Sequence, residues 1–207
     1  MTQGSNSIAP YNSASNAPNA TKERLMHAAL VVFSARGYQR MTIEVIARQA
    51  QVSRPTFYMH FESKSDIVTQ SLIMQWGKLN DALKAASAST LSLEVKSSAR
   101  LSTYFSWWCE HAELGKRVFS EVNDPSSPVF AVRRSMISSL VYYWTEQLRI
   151  KNPSATIDDL EVSALLSMIE QLCMQFFALN KDDRETEKER YISCAATIMH
   201  SYLAYKK

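Results

Sequence analysis

Glycine and cysteine are scarce in this chain, and neither falls in a pattern that carries chemistry. There are four glycines and three cysteines in 207 residues. No Gly-rich loop of the kind that cradles phosphate is present, and Cys109, Cys173 and Cys194 form no C-x-x-C pair. An odd number of scattered cysteines reads as buried thiols serving as small apolar side chains. His27, His60, His111 and His200 are equally dispersed, so no spacing among them makes a metal site. No nucleophile-base pair stands out. These absences leave an enzyme reading without support and imply no cofactor. No apolar run is expected to be long enough to cross a membrane. The first twenty residues, mostly Asn, Ser, Ala, Pro and Gln, lack the basic start and apolar stretch of a signal peptide. The expectation is a cytoplasmic protein whose residues 1–19 form a disordered leader, because such a composition buries too little apolar surface to offset the cost of ordering.

Strand-like alternation of useful length is also missing. Helical spacing dominates instead, and the chain reads as all-α, with a small domain over 20–66 followed by a helical bundle over 67–207. Leu25, Ala28, Ala29, Val32 and Phe33 share one face of a first helix, Thr21 to Arg36, which Gly37 ends as a left-handed cap with Tyr38 behind it. In the bundle the spacing predicts helices near 64–86, 92–111, 113–122, 128–151, 157–180 and 184–205. Their breaks are marked by Leu114-Gly115, by Asn123 to Pro128 and by Asn152-Pro153-Ser154.

The segment Thr42 to Lys64, TIEVIARQAQVSRPTFYMHFESK, carries the most information. Thr42 is a good N-cap, and Ile43, Ile46, Ala47 and Ala50 repeat at helical spacing after it. Gln51 and Val52 break the pattern. Ser53 caps a second helix, Pro55 stands in its first turn where a missing N–H does no harm, and Phe57 with Phe61 supplies the buried face. Arg54, Thr56, Tyr58 and His60 remain outward. Ser63-Lys64-Ser65-Asp66 then has capping-box spacing and opens a further helix. Two short helices joined by a tight turn make a helix-turn-helix, whose second helix lies in a DNA major groove.

This segment resembles the TetR family of bacterial transcriptional regulators, whose pattern runs from a helix ending in Gly and an aromatic to S-x-x-T-F/L-Y-x-H/Y-F and then S-K. The motif resemblance covers roughly residues 20–70 and is architectural beyond them. It implies a ligand-responsive DNA-binding regulator, in particular a repressor released from its operator by a hydrophobic small molecule. The alternative is a ligand-independent DNA-binding protein that organises DNA or recruits a protein partner. Ser53, Arg54, Pro55, Thr56, Tyr58 and His60 would face the groove, with Thr42, Tyr58 and Lys64 anchoring phosphates. Two positions depart from the pattern. Gln51 stands where the turn usually carries Gly, so the turn is either strained or of another shape. Glu44 faces where a neutral or basic residue is common; it either accepts from a cytosine amino group or complements the positive end of its own helix.

Charge agrees with a nucleic-acid partner. Residues 1–70 hold seven Lys/Arg against four Asp/Glu, and residues 71–207 hold sixteen of each, so all of the net charge of +3 lies at the DNA-binding end.

The bundle is rich in aromatic and Met side chains, and apolar pockets between helices are lined by these types. Tyr104, Phe105, Trp107 and Trp108, then Tyr142, Tyr143 and Trp144, then Met168, Met174 and Phe177 are the candidate ligand-site residues, with Glu170 and Gln171 as orienting polar groups. Charged groups among them are few, so strong anions are expected to fit poorly. The final helix shows two stripes. Tyr191, Ala195, Ile198 and Tyr202 are expected to meet a second subunit, and Ile192, Ala196, Met199 and Leu203 to face the core. The family resemblance also implies a homodimer through the last two helices.

Overall fold

The computed structural model describes residues 17–87 and 92–205. The leader expected over 1–19 lies outside these residues as far as residue 16, and its last three positions belong to a helix. Among the described residues the chain forms nine helices and no strand: α1 (Ala17–Arg40), α2 (Ile43–Gln49), α3 (Arg54–Tyr58), α4 (Lys64–Ala86), α5 (Leu93–Glu110), α6 (Ala112–Glu121), α7 (Pro128–Lys151), α8 (Asp159–Ala178) and α9 (Lys181–Tyr205).

Side-chain caps start most of them. Thr42, Ser53, Ser63, Ser92, Ser127 and Asp158 each accept a hydrogen bond from a backbone N–H two or three residues on, satisfying a donor that the helix itself leaves free. Asp66 reaches back to the N–H of Glu62 at 3.0 Å, one residue before the cap. The α1 spacing holds, with Leu25, Ala28, Ala29, Val32 and Phe33 all buried. Gly37 kinks α1 at φ 74, ψ 167, so the expected positive φ is present with an extended rather than left-handed helical ψ. A Cβ here would stand 2.6 Å from Oε1 of Glu121, so the position needs glycine both for its backbone and for its clearance. Gln51 has φ 54: of the two expectations for this turn, strain is the one realised.

α4 belongs to both parts of the molecule. Ser71 donates to the Met26 carbonyl of α1 at 3.3 Å, whereas Leu72, Leu79 and Leu83 enter the bundle, and the apolar core runs through without a break. The boundary drawn at 66/67 therefore falls in the first turn of a shared helix. In the bundle α4 packs on α5 and α7, α8 on α7 and α9, and α6 lies between α1 and α8.

Three expectations are corrected here. α8 is long and apolar enough to cross a membrane, contrary to the sequence reading, but Val162, Leu165, Leu166, Ile169, Cys173, Phe176 and Phe177 are buried in the core, which accounts for its composition. Cys173 is buried, Cys109 partly so, but Cys194 is exposed. The α9 stripe assigned to a second subunit packs on this chain's own helices. Ala195 is fully buried, the Tyr191 ring lies 5.4 Å from that of Phe176, and the Tyr202 hydroxyl donates to Glu161 at 3.0 Å. Met199 and Leu203 are buried as expected. The outward face of α9 is instead Cys194, Thr197 and Ser201.

Candidate nucleic-acid interface and cavity

The turn from α2 to α3 is built by short-range bonds. Val45 N–H donates to Thr42 Oγ1 at 3.3 Å, Thr56 N–H to Ser53 Oγ at 3.2 Å, and the Ser53 and Thr56 hydroxyls lie 2.8 Å apart. Phe57 and Phe61 are buried in the apolar core, which leaves Ser53, Arg54, Pro55 and Tyr58 exposed and Thr56 and His60 half-buried. Met59, which the sequence reading passed over, is 80% exposed beside Tyr58. A helix with Phe57 and Phe61 inward presents 58 and 59 together, so helical spacing holds the signal for it.

Arg54 is not a free guanidinium. Its Nη1 lies 2.7 Å from Oε1 of Glu44, and its Nη2 makes a long 3.4 Å bond to the Tyr58 hydroxyl. The Glu44 carboxyl is held below its ordinary range by its own backbone N–H, by Thr42 and then by Arg54. This fits the carboxylate that complements its helix start, with the pairing to Arg54 in addition. Lys64 is also engaged. Its Nζ donates to the Tyr38 carbonyl at 2.9 Å and stands 4.2 Å from the centre of the Tyr38 ring. Its charge is turned towards Tyr38, so its first role in this structure is to fasten the start of α4 to the end of α1.

Tyr38 is held from the other side as well. Its N–H donates to Oε1 of Glu121 on α6 at 3.0 Å, and Oε2 of Glu121 accepts from the Ser127 hydroxyl, the cap of α7, at 2.8 Å. Gln39 adds a 2.8 Å bond to Ser126. One largely buried carboxylate thus joins the helix-turn-helix to the junction of α6 and α7.

Two adjoining clefts open in the bundle, enclosing about 720 and 570 Å³ with their open mouths included. They share Trp76, Tyr104, Arg133, Met136 and Glu170. Arg133 and Glu170 form a bidentate pair between them, Nε lying 2.7 and 2.9 Å from the two carboxylate oxygens and Nη2 closing the second bond. That pairing raises the pKa of Arg133. Burial pushes the Tyr104 phenol well above its ordinary range. In the second cleft the Trp108 indole nitrogen and Gln75 Oε1 are buried without a partner.

Of the ligand-site residues read from sequence, Tyr104, Trp107, Trp108, Trp144 and Glu170 line the clefts. The others do not. Phe105 and Phe177 fill the core against Phe176 and Phe119, Met174 packs on the same core, and Tyr143 lies under the Arg100 guanidinium. Tyr142, Met168 and Gln171 point outward, because neighbours on a helix diverge by about 100°. The sequence reading missed Arg100, Arg133 and Met136, so the clefts carry two guanidinium groups where few charges were expected. The signal was present: Arg100 falls on the inward stripe of Ser97, Leu101, Tyr104 and Trp108.

Comparison with known proteins agrees with this architecture. The family described as "Bacterial regulatory proteins, tetR family" matches residues 25–70. The negative transcriptional regulator IcaR of Staphylococcus aureus is 31% identical over 62 residues, covering 30% of this chain and 33% of that protein. The transcriptional activator FasR of Mycolicibacterium smegmatis is 29% identical over 110 residues, 53% of this chain and 50% of that one. The match therefore spans only a third to a half of these relatives. The crystal structure of FadR from Bacillus subtilis, in complex with stearoyl-CoA, shares the fold over 86% of this chain and 95% of its own, with TM-score 0.60 and 16% identity. A helix-turn-helix that matches the family model over residues 25–70, set on a long shared helix under an all-helical second part with the fold of FadR, gives this chain the DNA-binding domain of the TetR family of bacterial regulatory proteins.

Proposed function

We propose that this protein is a cytoplasmic, homodimeric repressor that leaves its operator when a largely apolar small molecule enters the clefts. The observation that carries the reading is the place of Glu121. It bonds Tyr38 on one side and Ser127 on the other, at the end of a helix whose Val118, Phe119 and Val122 line the second cleft. A ligand that spreads α6 from α7 pulls on Tyr38, and through Tyr38 on Lys64 and the start of α4. The two recognition helices of a dimer would then lose the separation that half-sites about 34 to 36 Å apart require. A coupling of only ~1 to 3 kcal/mol suffices for release.

Ser53, Pro55, Thr56, Tyr58 and His60 read bases and phosphates in this scheme, and Thr42 and Lys64 anchor the backbone. Arg54 reaches guanine by exchanging Glu44 for the base, while Glu44 stays on hand to accept from cytosine. An acyl chain is present in the FadR complex, and IcaR is a negative regulator; both favour the finer reading. The second copy docks on the outward faces of α8 and α9, where Leu160 and Met168 are exposed at 74% and 53% beside Gln171, Thr197 and Ser201. A Met168→Asp protein that is folded and sediments as a monomer supports this face; one that remains a dimer at low concentration removes it.

The decisive experiment is paired. DNA fragments are selected with the purified protein, and apolar compounds are then titrated against the emission of Trp76, Trp107, Trp108 and Trp144, all of which line the clefts. Operator affinity is measured with each compound that binds. Lowered affinity with bound compound supports a ligand-released repressor; unchanged affinity with every one favours a ligand-independent DNA binder.

A further inference from the structure

We infer that the first cleft is a site for a carboxylate carried on an apolar body, with the carboxylate held by Arg100. This rests on the reading of the bundle as an effector domain and adds the chemistry of the effector's polar end. Arg100 is only 6% exposed. A guanidinium removed from water is costly unless it is paired with an anion. The other arginine of the cleft meets that condition, since Arg133 has both oxygens of Glu170. Arg100 does not. Its Nη1 donates to the Leu83 carbonyl at 3.2 Å and to Ser87 Oγ at 3.0 Å, while among the described residues Nε and Nη2 make no bond and no carboxylate pairs with the guanidinium. The sequence between α4 and α5 that lies outside the described residues, 88–91, is Ala-Ser-Thr-Leu, with no acidic residue.

What surrounds the guanidinium orients it without neutralising it. It stands 4.7 Å from the Tyr143 ring centre and 5.8 Å from that of Trp144, two faces that attract a cation and restrict its fork. Burial pulls its pKa down, as it does for a cation short of negative charge. Leu101, Leu140, Ile169 and Met199 continue the cleft wall as apolar surface. A single anionic oxygen pair at one end and hydrocarbon along the rest describes a monocarboxylate with an aliphatic or aromatic body, and the planar fork suits two oxygens better than one. Nη1 also satisfies carbonyl and hydroxyl groups at the end of α4, a structural task that engages one of the three guanidinium nitrogens.

The test uses the full chain without DNA and two probes of equal length, dodecanoate and 1-dodecanol, titrated below micelle-forming concentrations against tryptophan emission. The parent protein is expected to bind dodecanoate about tenfold or more tightly than the alcohol, as a charge-assisted pair in a dry site requires. Arg100→Gln should abolish the preference and leave the affinity for the alcohol within about twofold, and Arg100→Lys should keep part of it. No preference in the parent, or no binding of dodecanoate, overturns the proposal without any variant. A preference that survives Arg100→Gln, or an equal loss for both probes, overturns it too, the latter showing that Arg100 only caps α4. Failure of the repressor reading is separate: there the carboxylate binds with its preference intact and operator affinity stays where it was.

Discussion

The helix-turn-helix and the bundle are held together by bonds of different reach. In the first, Thr42 caps Val45, Ser53 caps Thr56, Ser63 caps Asp66 and Arg54 meets Tyr58, all within three or four residues. In the second, Arg133 pairs with Glu170 37 residues away, Tyr202 with Glu161 across 41, Lys188 with Ser106 across 82 and Ser98 with His200 across 102. The helix-turn-helix, whose longer ties are Glu44 to Arg54 and Lys64 to Tyr38 across 26 residues, is closed over shorter spans and depends less on what is attached to it. A bundle closed by distant bonds depends on how its helices lie against one another, and this is where a ligand finds room and where a small shift of one helix reaches the next. Glu121 belongs to both regimes, since it stands 83 residues from Tyr38 and six from Ser127.

The largest effect is expected at that seam. Glu121→Ala leaves the Tyr38 N–H and the Ser127 hydroxyl without their acceptor and should cost about 2 to 4 kcal/mol of unfolding free energy, read from urea midpoints. It should also cut the effect of a bound ligand on operator affinity. A loss below about 1 kcal/mol would show that the two regions are joined by apolar packing alone. Within the bundle, Glu170→Ala strips Arg133 of its partner and should cost about 2 kcal/mol, less than a fully buried pair because the arginine keeps some access to water. Operator affinity without ligand should stay at the parent level; a fall there would mean that the pair also sets the resting position of α4.

The local unit should respond in the opposite way. Arg54→Ala removes an exposed pair and is expected to leave the urea midpoint where it was. Operator affinity should fall about tenfold or more, with preference relaxed at one base pair in each half-site. Glu44→Gln, which frees the guanidinium, should tighten operator binding in the same assay. If Arg54→Ala bound a selected operator like the parent, the groove assignment would be lost.

These two regimes explain what the sequence disclosed. Caps, the glycine at position 37, the unusual turn at Gln51 and the inward Phe57 and Phe61 all depend on neighbours, so they could be read from the chain, the choice between strain and another shape at Gln51 excepted. Most helix limits in the bundle could be read for the same reason: the break at Asn123 to Pro128 separates α6 from α7 where expected, whereas Leu114-Gly115, read as a break, lies inside α6. Partnerships across the turn could not. Nothing local says that Glu44 reaches Arg54 or that Lys64 turns to Tyr38. In the clefts, aromatic richness pointed to the right helices, and Trp108 and Trp144 line them, but it could not separate Tyr104 from Phe105, since that choice depends on which faces the neighbouring helices cover. Arg100 was overlooked because a search for apolar clusters passes over the one cation on the stripe.

The smallest expected effect tests the local unit at its one strained residue. Gln51 holds φ 54, a conformation that costs a residue with a Cβ about 1 kcal/mol or more, and its side chain is exposed. Its backbone N–H bonds to the Arg48 carbonyl at 3.1 Å, so the turn itself does not depend on the side chain. Gln51→Gly removes the strain but gives the unfolded chain more freedom, which takes back about 0.4 to 1 kcal/mol. The net gain should be about 0.5 kcal/mol, a rise of about 1 to 2 °C in melting temperature for a chain of this size. Operator affinity should not change, because the positions of α2 and α3 are fixed by Phe57, Ile46 and Ala50 beneath them. A variant less stable than the parent would mean that the Gln51 side chain makes a favourable interaction that outweighs its backbone strain, and a variant with altered operator affinity would place Gln51 itself against DNA.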